Sequence, residues 1–376
     1  MARPYTLIMD LTERCNLKCI MCHFSAADRL SFPPHEVKLS EDGNMPVPVF
    51  EKIAADLFPQ SQRVALACAA EPMIHPKFRD IVGIAGRYGV PELWFPTNLL
   101  ALSEPTANAL IDAGVWTIAA SIDGVTKETY EKIRVPAKFE RLTSNLDLLN
   151  RVRAQRRSKL PRLRIIFTWM QSNRGELAQL PAFAEKHGAA ELDVRYVTES
   201  SGVDNSKELL SGEDPAALRA ELARTARDAV RRGLRLTSYP EFELESELPA
   251  NPLSRLSRRI WRVRAGIDRK ETRLHAWHQR LHGCAYPGRY FVIRPNGAVN
   301  PCIYWDGVPI GFYPAQGVDD IQQGSPLARI RNGLHFGRPV GTCATCSERR
   351  MAFYRLPGRE APSGGASGLR LPTLPH

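Results

Sequence analysis

The stretch Tyr5-Thr-Leu-Ile-Met-Asp10, followed by Leu-Thr-Glu-Arg and then Cys15-Asn-Leu-Lys-Cys19-Ile-Met-Cys22, decides how the rest of the chain is read. A short apolar run that stops at an acid reads as a buried strand. Three thiols within eight residues then follow at its C-terminal end. Outward from here the rhythm repeats. Further short apolar runs, at 63–68, 92–96, 116–121, 163–169 and 191–197, read as strands. Amphipathic stretches near 47–58, 76–88, 104–113, 139–156 and 175–187 read as the helices between them. Six strands separated by helices predict parallel βα units in a barrel or a doubly wound sheet. Either architecture gathers its chemistry at the C-terminal strand ends, where the three cysteines fall.

The chain has 376 residues, 43% of them hydrophobic, enough for one large domain and a smaller one. No apolar run approaches the roughly 20 residues that a membrane span needs. The beginning, MARPYTLIMD, turns polar too soon for a secretory signal, so a cytoplasmic protein is expected. Eight cysteines in a reducing compartment point to metal ligands rather than disulfides. The net charge of +11 is concentrated locally: residues 252–283 hold nine Lys/Arg against two acids. Within that segment Leu253, Leu256, Ile260, Val263 and Ile267 recur at helical spacing.

Thiolates are soft, anionic ligands suited to iron–sulfur clusters. Three of them leave one iron of a [4Fe–4S] cubane open, and an open position is where a substrate coordinates. The competing readings are a zinc site or thiols on one helix face. Zinc favours a closed shell of paired hooks, and a helix is disfavoured directly after a strand.

On these residues the chain resembles the radical S-adenosylmethionine enzymes, whose signature C-x3-C-x2-C follows the first strand. The resemblance covers about residues 5–200 and recurs at successive strand ends. It implies a partial (β/α)6 TIM-like barrel, an α/β fold, with a [4Fe–4S] cluster on Cys15, Cys19 and Cys22. It also implies S-adenosylmethionine contacts at Met21, Glu71, Asn98, Ser121, Asp123, Arg134 and Asn173. Ala69-Ala70-Glu71-Pro72 stands where the family reads Gly-Gly-Glu-Pro, and Leu99 stands where the family has glycine after Thr97-Asn98. The implied chemistry is reductive cleavage of S-adenosylmethionine to a 5′-deoxyadenosyl radical, with a flavodoxin- or ferredoxin-type reductant.

A second cysteine set comprises Cys284, Cys302, Cys343 and Cys346. The run Tyr290-Phe-Val-Ile-Arg-Pro-Asn-Gly297 reads as a hairpin entering a tight turn. Four thiols in a compact segment fit a closed metal site, zinc or cluster. By resemblance they are the ligands of one auxiliary [4Fe–4S] cluster in a small cysteine-rich α+β domain of the twitch/SPASM kind. The expected organisation is a barrel over 1–238, a basic helical linker over 239–283, the auxiliary domain over 284–355 and a disordered tail over 356–376. A strand at 234–238 would close the barrel domain, after a helix near 215–233.

Cys68 is left over, at the end of the second strand. It reads either as a small buried hydrophobe or as a hydrogen-atom donor facing a substrate radical. The second reading makes it catalytic. The basic segment reads as a solvated helix face or as a clamp for anionic groups. Too little aromatic interleaving argues against nucleic acid. The function expected is hydrogen abstraction from a carbinol C–H of a sugar or aminocyclitol, a small molecule or part of an oligosaccharide, leading to epimerisation. Oxidation through the auxiliary cluster and modification of a ribosomal peptide are the alternatives. Asp10, Glu13, His75 and Arg195 are candidate substrate contacts inside the barrel.

Overall fold

A computed structural model describes residues 5–22, 42–197, 203–210, 212–239, 284, 286–305, 307–336 and 338–344. The basic segment, the tail and Cys346 lie outside these residues. The barrel is built from β1 (Tyr5–Met9), β2 (Lys18–Cys19), α1 (Val47–Leu57), β3 (Ser61–Ala65), α2 (Phe78–Gly86), β4 (Glu92–Thr97), α3 (Glu104–Asp112) and β5 (Thr117–Ser121). It continues with α4 (Lys127–Ile133), β6 (Arg134–Val135), α5 (Phe139–Gln155), β7 (Arg162–Trp169), α6 (Leu180–Lys186), β8 (Glu191–Tyr196), α7 (Pro215–Arg231) and β9 (Arg235–Tyr239). The C-terminal part adds β10 (Tyr290–Ile293), β11 (Ala298–Asn300), β12 (Gly311–Phe312), α8 (Val318–Gln323) and α9 (Ser325–His335).

One ten-stranded sheet runs β12-β11-β10-β1-β3-β4-β5-β7-β8-β9. From β1 to β9 every neighbouring pair is parallel. Strands of such a sheet are covered on both faces, which is why β5 reads Thr-Ile-Ala-Ala-Ser with four consecutive buried residues. The turns share one solution. Gly114, Gly188 and Gly233 take positive φ after α3, α6 and α7. The following N–H groups of Val115, Ala189 and Leu234 bond back to Leu110, Ala184 and Ala229. This is the glycine C-cap that stops a helix and turns the chain into the next strand. Ser103, Thr126 and Asp214 cap the helix starts with side-chain acceptors.

Two expectations are corrected. The second strand ends at Ala65 rather than at residue 68: the Leu66 N–H still bonds the Trp94 carbonyl, but the Cys68 and Ala69 amides turn to Asp10. The stretch near 175–187 is not one helix: a 3-10 turn over Gln171–Gln179, bent at Asn173, precedes α6. The small C-terminal part joins the same sheet. β10 pairs parallel with β1, with Thr6 opposite Tyr290 and Met9 opposite Ile293, so the hairpin extends the barrel edge. The hairpin itself is as read: β10 and β11 are antiparallel, and Gly297 turns at φ +80°.

Candidate functional site

The three-cysteine loop leaves β1 and is held from below. β2 pairs antiparallel with β6, placing Cys19 opposite Arg134, and the Ile20 N–H donates to the Ile133 carbonyl. Arg134 Nη1 lies 3.8 Å from Cys19 Sγ, while its Nη2 pairs at 2.5 Å with Asp123 Oδ2. Both charged groups are buried. Burial works against the Arg134 charge, but Asp123 and Cys19 outweigh it and hold the guanidinium firmly protonated. Asp123 Oδ1 accepts from the Thr168 N–H at 2.7 Å. Gly124 follows because α4 passes too close for a side chain: a Cβ there would stand 2.5 Å from Tyr130 N.

Glu71 forms the opposite wall. Its carboxylate accepts from the Asn98 N–H at 2.6 Å, the Thr97 hydroxyl at 2.7 Å and the Met73 N–H at 3.1 Å. Burial nevertheless dominates and pushes its pKa up to about 7. Asn98 Nδ2 donates to Asn16 Oδ1 at 2.7 Å, tying this wall to the cysteine loop. Leu99, in the family's glycine position, holds φ +67° and is fully buried. Its packing offsets a backbone conformation that costs a leucine of order 1 kcal/mol.

The three loop thiols influence one another. Burial raises Cys15 and pushes Cys19 up to about 11; Cys22 adds to both rises, and Cys15 adds to that of Cys19. Three soft donors with mutually opposed charge, backed by a buried guanidinium, fit a cluster that would draw off their protons. Among the described residues no three Cys, His, Asp or Glu side chains converge closely enough for a single metal ion. A cubane spreads its thiolates wider than one ion does.

The other expected contacts divide into two groups. Met21 packs against Ile133, Met170 and Val197 at the site's margin, and Ser121 is half-buried at the end of β5. Asn173 is a different case. It is buried, and its amide is spent on backbone: Nδ2 donates to the Asp123 and Thr168 carbonyls, and Oδ1 accepts from the Met170 N–H. It shapes the loop beneath Asp123 and has no free group for a cofactor. Asp10 and His75, expected to touch substrate, are likewise structural. His75 bridges the Met45 carbonyl and the Lys77 N–H. Asp10 Oδ1 accepts from the Cys68 and Ala69 N–H groups at 2.7 and 2.9 Å, and Oδ2 pairs with Arg294. Glu13 lies beside the Gly43 turn. Arg195 is exposed, and its guanidinium pairs with Asp193 at 2.7 Å. Cys68 is accessible, although protein atoms crowd it. Burial pushes it up to about 12; Asp10 adds to the rise, and Arg294 and Arg195 oppose it.

Sequence reasoning missed the part played by Arg294. A lone arginine before a hairpin turn carries no signal of a partner at Asp10.

Residues 9–156 match the model of the radical SAM superfamily, and residues 284–347 match that of the SPASM iron-sulfur cluster-binding domain. The chain belongs to the radical SAM superfamily. Its C-terminal part is a SPASM domain, and the two regions imply a SAM-binding [4Fe–4S] cluster and an auxiliary iron–sulfur cluster. The AdoMet-dependent heme synthase of Methanosarcina barkeri is 27% identical over 210 residues, 55% of this chain and 54% of that protein. The mycofactocin maturase MftC of Mycobacterium ulcerans is 24% identical over 210 residues, covering 55% and 51%. This radical SAM chain thus spans about half the length of these curated relatives. SuiB of Streptococcus suis bound to S-adenosylmethionine shares its fold, with a TM-score of 0.60 at 16% identity over 93% of this chain and 72% of that one.

Proposed function

We propose that this radical SAM protein abstracts hydrogen from a carbinol carbon of a sugar or aminocyclitol and returns it from Cys68, inverting the centre. When bound, the open cluster supplies one-electron cleavage of S-adenosylmethionine to methionine and the 5′-deoxyadenosyl radical. The chain's own residues divide the remaining work. Cys15, Cys19 and Cys22 would hold the open cluster, and Arg134 braces Cys19. Glu71 and Asn98 form the wall for the methionyl amino group and the ribose. Cys284, Cys302, Cys343 and Cys346 would hold the auxiliary cluster.

The observation that carries this reading is the accessible Cys68 thiol in the loop after β3, with exposed Arg195 among the charges around it. The substrate carbon loses a hydrogen atom to 5′-deoxyadenosyl and takes one from the Cys68 S–H. The thiyl left on Cys68 regains one electron and one proton, the electron from a flavodoxin- or ferredoxin-type reductant. Arg195 would hold an anionic or hydroxyl-rich part of the substrate.

Oxidation of the same carbinol through the auxiliary cluster is a second reading. The pairing of β10 with β1, which packs the auxiliary module against the lumen wall, favours it.

The test is turnover in D2O on a panel of hexoses, aminocyclitols and short peptides. One deuterium in recovered compound, lost in Cys68→Ala, is expected. A two-hydrogen mass loss selects oxidation. Label in the peptide alone replaces the sugar by a peptide substrate. No label in any compound that nonetheless drives 5′-deoxyadenosine formation removes the epimerase reading.

A further inference from the structure

We propose that Arg294, contributed by the SPASM domain, is a positioning residue for the Cys68 thiol and acts through the Asp10 carboxylate. The inference rests on Cys68 being the hydrogen donor. It comes from a chain of contacts crossing from one domain to the other. Arg294 stands directly after β10, and the Asp10 N–H donates to the Ile293 carbonyl at 3.0 Å, so the parallel ladder brings the two side chains together. Arg294 Nη1 pairs with Asp10 Oδ2, and both residues are buried. The second carboxylate oxygen takes the N–H groups of Cys68 and Ala69. Two adjacent amides aimed at one anionic oxygen fix the direction in which the Cys68 side chain leaves the backbone.

The pair has a second effect. Asp10 and Arg294 act on the thiol with opposite sign: the carboxylate favours S–H and the guanidinium opposes it. Arg195 is the other charge facing the thiol. A donor must stay protonated, yet an unopposed carboxylate would rotate or draw in water. The guanidinium neutralises Asp10 and locks its rotamer. A SPASM-domain residue thereby sets the geometry of a thiol on the barrel loop after β3, without touching substrate or cofactor.

The experiment uses the full chain with both clusters loaded under anaerobic conditions. The seven other cysteines are then engaged, and iodoacetamide reports on Cys68, read by mass spectrometry at pH 9. Only the thiolate reacts. Arg294→Met is expected to slow labelling roughly three- to tenfold, and Asp10→Asn to speed it by a similar factor. Arg294→Lys, which keeps the charge, is expected within about twofold of the wild type. Iron content reports whether each variant has folded. Should Arg294→Met lose its clusters, Asp10→Asn still decides. Labelling that is unchanged, or that moves the same way in both variants, overturns the proposal and leaves the pair as packing. Deuterium return, by contrast, tests Cys68 as donor, so the two ideas fail separately.

Discussion

Replacing Arg134 by methionine strips a buried carboxylate of its cation. Asp123 is fully buried, and without Arg134 it keeps the Thr168 N–H as its partner. Breaking a buried ion pair from one side costs about 3–5 kcal/mol, because the remaining charge stays desolvated. For a barrel of this size each 1 kcal/mol moves the melting midpoint by roughly 2–4 °C, so the variant should melt about 6–20 °C lower. Asp123→Asn, which leaves the guanidinium uncompensated, should fall in the same range. The double variant Asp123→Asn/Arg134→Met buries no charge, and it should lose less than the sum of the two. The assay is a double-mutant cycle by thermal unfolding of the apo chain under reducing conditions, with a coupling of about 2–3 kcal/mol expected. Iron retained after reconstitution is the parallel readout, because the Arg134 backbone also carries the strand facing Cys19. Additive losses would refute the reasoning, showing that the two groups do not depend on each other.

Glu71 makes stability pH-dependent. Its folded value of about 7 stands above the ordinary 4.5, so the neutral carboxyl favours the fold at low pH and that contribution fades as pH rises through 7. Relative to Glu71→Gln, the apo wild type should lose about 3 kcal/mol between pH 5 and 8; parallel stability curves would count against it. Reconstituted protein should carry about eight irons, and the Cys15/Cys19/Cys22→Ala variant about four. Zinc in the remainder would leave the second site closed to redox chemistry and remove the oxidation route. Tyr313→Phe should cost about 1–2 kcal/mol in unfolding experiments, because the buried hydroxyl bonds both Asp56 and the Lys52 carbonyl on α1. No change in the midpoint would mean that this contact between the C-terminal part and α1 carries no energy.

Much of the fold was legible because parallel strands are short apolar runs bounded by caps and glycines, and the chain keeps that rhythm from Tyr5 to Tyr239. The cysteine loop was legible because ligand spacing is local. What escaped was non-local or too short to have a period. β2 and β6 are two residues each, yet they set Cys19 against Arg134. Asn173 and His75 read as polar residues at strand ends and loops, where ligands belong. Only the structure tells whether their polar atoms face a cavity or the backbone. Asp10 and Arg294 are 284 positions apart, and no pattern in either neighbourhood announces the other.

The pairing of β10 with β1 also has a temporal consequence. β1 leaves the ribosome early, but its outer edge gains a partner only when β10 emerges. At roughly 5–20 residues per second the 284 positions between Asp10 and Arg294 amount to about 15–60 s. Through that interval a nascent chain displays an unpaired parallel edge with a forming barrel behind it, a template for another chain's strand. The SPASM hairpin is therefore also the last stave of the barrel. A chain cut before it would carry its adhesive edge permanently and should aggregate, however well the remaining strands pack.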